Sequence, residues 1–139
     1  MTLPYPIKAL IIAALVVAAA AVLWTQSGGS GAINVPSGQQ IVLQEVIFEP
    51  QNGGETWLRA RFVAPEIGSK FGFDAVADDF TYLCASFVLP LLRNESRTAT
   101  QVVISMADRE IAFGDTDPDA TQFFEAFRIE NDICIWESF

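Results

Sequence analysis

Apolar and polar positions alternate along Ile41 to Glu49 (IVLQEVIFE) and again along Glu55 to Ala64 (ETWLRARFVA), with PQNGG (Pro50 to Gly54) between them. Two runs of period two flanking a glycine-containing turn predict a β-hairpin. Pairing Phe48 with Leu58 puts Val42, Val46, Phe48, Leu58, Ala60 and Phe62 on one face. It also sets Glu45 opposite Arg61 on the other face, an opposite-charge cross-strand pair. The period then changes. In Asp74 to Leu92 (DAVADDFTYLCASFVLPLL) apolar residues recur at Val76, Phe80, Leu83, Cys84, Phe87, Val88 and Leu91, one stripe of a 3.6-residue period. Asp74 is the expected N-cap, Asp78 and Asp79 complement the positive end of the helix dipole, and Pro90 ends or kinks the helix.

Alternation resumes in Gln101 to Ala107, with Val102, Ile104 and Met106 inward, and after a turn at Asp108-Arg109 in Glu110 to Gly114, with Ile111 and Phe113 inward. The last two runs, Thr121 to Glu130 and Ile133 to Phe139, are joined by Asn131-Asp132, which tolerate the positive φ of a two-residue hairpin turn. Centring that hairpin pairs Ile129 with Cys134 and Phe127 with Trp136. Cys134 then faces the same core as Cys84. The order β-β-α-β-β-β-β predicts an α+β domain, an antiparallel sheet of about five to six strands with one main amphipathic helix on one face.

The first 32 residues follow a different rule. Ala9 to Trp24 is an uncharged apolar run of sixteen, preceded by Lys8 and followed by TQSGGSGA. A positive start, an apolar stretch and a small-residue exit are the parts of an export signal. Sixteen helical residues span roughly 24 Å, against about 30 Å of hydrocarbon core. Two readings stand: cleavage after Ala32 releases a soluble periplasmic protein, or residues 1–32 persist as a transmembrane signal-anchor and Gly/Ser spacer, fixed by Trp24 at the interface. Either way residues 33–139 lie outside the cytoplasm. Thr25 to Gln40 as a whole, Gly/Ser-rich and uncharged, reads as a flexible spacer or as the new amino terminus.

The exported residues carry all seventeen acidic side chains and seven of the eight basic ones, a net charge of −10. Nucleic acid is not an expected partner, because phosphate binding needs a basic surface. The two cysteines, Cys84 and Cys134, form an even pair in an oxidising compartment and read as a disulfide closing 51 residues. The rival reading, a redox-active or metal-binding pair, lacks both C-x-x-C spacing and any histidine.

The stretches LCASFVLPLL, VVISMADREIAFG and PDATQFFEAFRIENDICIWESF resemble a family of small exported alphaproteobacterial proteins of unknown function, over Val35 to Phe139. The resemblance implies secretion and retention of both cysteines, and it brings no catalytic residues with it. The name acetolactate synthase, carried by some such proteins, does not suit 107 residues, since a thiamine-diphosphate enzyme needs a large multi-domain chain.

Three sets of residues are candidates for chemistry. Asp115, Asp117 and Asp119, with Glu125 beyond, have the alternate spacing of a calcium loop, but position 6 is Ala120 and Glu125 is one residue early for an EF-hand. Without histidine, serine–histidine and cysteine–histidine nucleophiles are excluded, which leaves a carboxylate pair assembled across strands as the one enzymatic arrangement open. Trp57, Arg59 and Arg61 share the outer sheet face, the residue types that interfaces favour. The expectation is a non-enzymatic accessory or binding module without a cofactor, with a protein partner such as an inner-membrane complex. A small carboxylate-based hydrolase or a weak calcium-dependent module is the alternative.

Overall fold

The structure is a computed structural model that describes residues 31–138. Of the proposed signal or anchor at residues 1–32, residues 1–30 lie outside the described residues. Six strands form one curled sheet in chain order: β1 (Ile33–Asn34), β2 (Gln40–Pro50), β3 (Thr56–Val63), β4 (Gln101–Ala107), β5 (Gln122–Glu130) and β6 (Ile133–Glu137). Between β3 and β4 runs the one helical stretch among the described residues, α1 (Phe73–Leu83), a π-turn (Cys84–Val88) and α2 (Leu89–Asn94). The fold is α+β, and the strand and helix order is broadly the expected one.

The β2–β3 hairpin has the anticipated register, Phe48 against Leu58 and Glu45 against Arg61. A bulge between Leu43 and Glu45 shifts the strand upstream of it. A bulge inserts one residue and so reverses the facing of what precedes it. Leu43, not Val42, therefore packs on the core. At the other edge, Ile129 pairs with Cys134 and Phe127 with Trp136 across Asn131 and Asp132, at φ 52° and 60°.

The sheet is mixed, not wholly antiparallel, since β3 and β4 run parallel. A parallel pair needs a long crossover, and the helix supplies it. The helix begins at Phe73 after an extended Gly72, with no side-chain cap, so Asp74 lies in the first turn and does not cap it. All seven expected stripe residues are buried in the core or packed against it. Pro90 kinks the pattern without ending it. Proline has no N–H and crowds the carbonyl four residues back, and the turn just upstream widens so that Leu89 N–H reaches the Cys84 carbonyl. The stretch Phe73–Asn94, 22 residues, is also long and apolar enough for a membrane span, but here it covers the sheet.

Two further expectations are corrected. Glu110 to Gly114 is not a strand; residues 108–121 form a loop over the outer face. Its Ile111 carbonyl is taken by Arg61 and Gln44 side chains, at 2.7 and 2.8 Å, and not by a neighbouring strand. Gly114, at φ 88°, then turns the chain back, with Asp115 N–H donating to the Ala112 carbonyl. Ile111 is buried against that face, while Phe113 is exposed. The segment from Ile33 to Gln40 is likewise no spacer: β1 pairs with β2, and Ser37 and Gln39 bond the helix.

Candidate functional site

The sheet register fixes which side chains reach the face away from the helix. On β3 these are Trp57, Arg59, Arg61 and Val63; on β4, Gln101, Val103, Ser105 and Ala107; on β5, Gln122, Phe124, Ala126 and Arg128. The middle of this face is small and buried, with Val103, Ser105 and Ala126 at its floor. Longer side chains stand around it. The result is a hollow of about 140 Å³ lined by Arg59, Arg61, Phe113, Gly114, Asp115, Gln122 and Phe124.

The two arginines have different tasks. Arg61 is almost wholly buried, pairs with Glu45 and holds the loop through the Ile111 carbonyl. Arg59 gives only its Nε–H to Glu49, at 2.6 Å. Its guanidinium carbon lies 5.9 Å from the Trp57 ring centre and 5.6 Å from that of Phe113, within the range of cation–π attraction. The terminal amino groups of Arg59, the Ser105 hydroxyl and the Gln122 amide hydrogen-bond to no other described residue. Trp57 itself lines a second hollow of about 350 Å³, with Glu55, Gln101, Arg128 and Glu137. The expected trio is thus divided: Arg61 is structural, while Trp57 and Arg59 remain partly accessible.

The acidic residues are dispersed. Asp115 lines the smaller hollow. Asp117 accepts the Asp119 N–H at 2.9 Å, an Asx turn, and lies 3.8 Å from Arg109. Arg109 also donates to the Asp119 carbonyl and to Asp108. That last bond, to the Arg109 guanidinium, holds the Asp108 carboxyl below its usual range. Glu125 is on the helix side of β5, where it accepts the Trp136 indole N–H. The sheet therefore separates Glu125 from the loop aspartates. Among the described residues no three acidic or cysteine side chains are grouped to share a metal ion. Cys84 and Cys134 are joined, at an S–S distance of 2.03 Å.

Sequence reasoning missed Asp79. It is fully buried, and accepts from Ser37 N–H and Oγ–H, at 2.8 and 2.6 Å, and from Gln39 Nε2 at 2.7 Å. Gln39 Oε1 is buried beside it without a partner. A signal existed: Asp79 stands three residues after Val76 and four before Leu83, inside the apolar stripe. The charge has a sufficient local reason in the helix dipole, and the partners lie in a stretch that reads as linker.

No curated protein and no solved structure matches the sequence. A family of unknown function, DUF6497, matches residues 12–139, which include thirteen of the sixteen residues of the apolar N-terminal run as well as every described strand and helix. By that match over nearly its full length, the chain belongs to the DUF6497 family.

Proposed function

We propose that this chain is an exported, acidic, non-enzymatic binding or accessory module of the periplasm, either released or tethered to the inner membrane by residues 1–32, with the outer sheet face around Trp57 and Arg59 as its recognition surface. The observation that carries the reading is the set of uncommitted donors at the smaller hollow. Arg59 lies within cation–π distance of two aromatic rings, Phe113 being shared with Arg61, with its terminal nitrogens unused, above a floor of small side chains. Arginine and aromatic side chains around a desolvated floor are the make-up of recognition sites. The disulfide is consistent with an extracytoplasmic protein. The apolar segment next to a small-residue stretch supports export, and its place within the family match supports counting it as part of the same unit.

The test is crosslinking in intact cells with a photoreactive residue at position 57, compared with one at Tyr82 on the exposed side of the helix. Stoichiometric adduct at position 57 and none at 82 is the expected result. Equal labelling, or none at either position, rejects the outer face as the recognition surface. Mass spectrometry of the native N-terminus then separates released from tethered protein.

A further inference from the structure

We infer that the smaller outer-face hollow is a binding site for a single carboxylate carried on a short apolar or aromatic body. The inference rests on the reading of the outer face as a recognition surface, but it needs neither export nor a protein partner. Charge comes first. Of the three ionised groups lining the hollow, Arg61 is committed to Glu45 and to the loop carbonyl, and Asp115 is an acid. The terminal amino groups of Arg59 therefore remain as the uncommitted cationic donors. A guanidinium presents paired N–H groups in a fixed fork that matches a carboxylate. The Ser105 hydroxyl and Gln122 amide add neutral donors along the next two strands.

Selectivity against a dianion follows from the neighbours. Glu49 already pairs with Arg59, and Asp115 adds a negative charge to the lining. The single charge of Arg59 is shared between Glu49 and the guest, so a monoanion is held by the free N–H groups, whereas the second charge of a dianion such as phosphate is left uncompensated next to carboxylates. The body of the ligand is set by Phe113, Phe124 and Val103, which form apolar walls. The hollow measures about 140 Å³; a cavity of roughly 150 Å³ accepts benzene. An acid with a branched aliphatic or a phenyl group thus matches the volume of the hollow. Such a carboxylate comes either from a free small acid or from the C-terminal residue of a polypeptide.

Calorimetry and nitrogen-15 NMR on the full chain in detergent test this with benzoate, its neutral isostere benzamide, inorganic phosphate, and Gly-Gly-Val as free acid and as C-terminal amide. Saturable binding of benzoate or of the peptide acid is expected, with shifts confined to the backbone amides around Arg59, Ser105, Gly114 and Gln122. Benzamide, the peptide amide and phosphate should each bind at least about tenfold more weakly, the expected scale for losing a charged hydrogen bond. Benzoate alone assigns the site to free small acids, and the peptide acid alone assigns it to chain ends. Arg59→Gln should weaken binding about tenfold or more while costing no more stability than a partly exposed ion pair provides, and Arg59→Lys should recover only part of the binding. Binding indifferent to the carboxylate or to Arg59, or no saturation of either acid by about 20 mM, overturns the assignment. Adduct at position 57 alongside that failure leaves the recognition surface standing; acid binding without adduct leaves only the carboxylate site.

Discussion

On the helix-covered face, Phe62, Phe80 and Phe127 are almost fully buried, a disulfide ties the π-turn to the edge strand β6, and Asp79 fastens the N-terminal strap to α1 through three hydrogen bonds. On the outer face the covering layer is a loop without regular structure, held by Gln44 and Arg61 through one backbone carbonyl and by the burial of Ile111. Both faces belong to the same strands. The difference lies in what is removed from water: apolar surface and a satisfied carboxylate on one side, partly wet ion pairs on the other. Buried apolar area stabilises far more than exposed ion pairs do. Damage to the first face should therefore lower global stability, and damage to the second should act locally.

The largest expected effect is the loss of the covalent tie. Replacing both cysteines by alanine frees a loop of sequence separation 50, worth about 4 kcal/mol in the chain-entropy account. Denaturant unfolding of the double variant should show a lowered midpoint. A loss below about 1 kcal/mol would place the stability of this face in its apolar packing alone.

Asp79 comes next. In Asp79→Ala, Gln39 Nε2 keeps only the Met106 sulfur, at 3.4 Å, and Ser37 loses both bonds. Unsatisfied buried polar groups cost about 1–3 kcal/mol each, so a total near 2–3 kcal/mol is expected. Accompanying it, hydrogen exchange at Ser37 N–H should accelerate far more than at β4. Uniform acceleration would show that the strap is not a separate unit.

The same contrast explains what could be read in advance. The β2–β3 register and the β5–β6 hairpin were legible because each is set locally, by period-two alternation and by turn residues such as Asn131 and Asp132. The helix stripe was legible for the same reason, and it aimed Cys84 at Cys134. Asp79 and the 108–121 loop were not, because their partners lie 40 and 42 residues away for Asp79, and 50 and 67 for Ile111. An alternating stretch such as EIAFG becomes a strand only where a neighbouring edge is open to it. Here β4 already has β3 on one side and β5 on the other. The candidate site was half legible: parity put Arg59 and Arg61 on one face, but only the loop's path shows which of them is committed.

On the outer face, Arg61→Met tests the loop tie. The change removes a charge-assisted bond to the Ile111 carbonyl and leaves Glu45 without its partner. A loss of about 2 kcal/mol is expected, less than for the cysteine pair. Proteolysis should localise it, with new cleavage within residues 108–121 while β2–β6 stay protected. Arg59→Gln, whose ion pair is partly exposed on both sides, should cost no more than about 0.5 kcal/mol. Equal losses for the two would erase the division of labour between the arginines.

The smallest effect belongs to the loop's base, where Asp108 N–H bonds the Thr121 carbonyl and its carboxylate bonds Arg109. The Arg109 guanidinium lowers the Asp108 pKa from 3.8, with the opposing cost of partial desolvation second. A carboxyl whose folded value is depressed adds stability that is present in full above its unfolded value. That contribution fades as pH falls from 3.8 through the folded value. Arg109 stays charged across this window, so acid acts on one partner alone. Hydrogen exchange at the Asp108 amide should therefore quicken below pH 3.8 before the helix-side amides respond. In Asp108→Asn this early step should vanish, and carbon-13 titration of the wild-type Asp108 carboxyl should place its midpoint below 3.8. A midpoint at or above that value would mean that the Arg109 bond is not held in solution, and the loop would then rest on Arg61 and Gln44 alone.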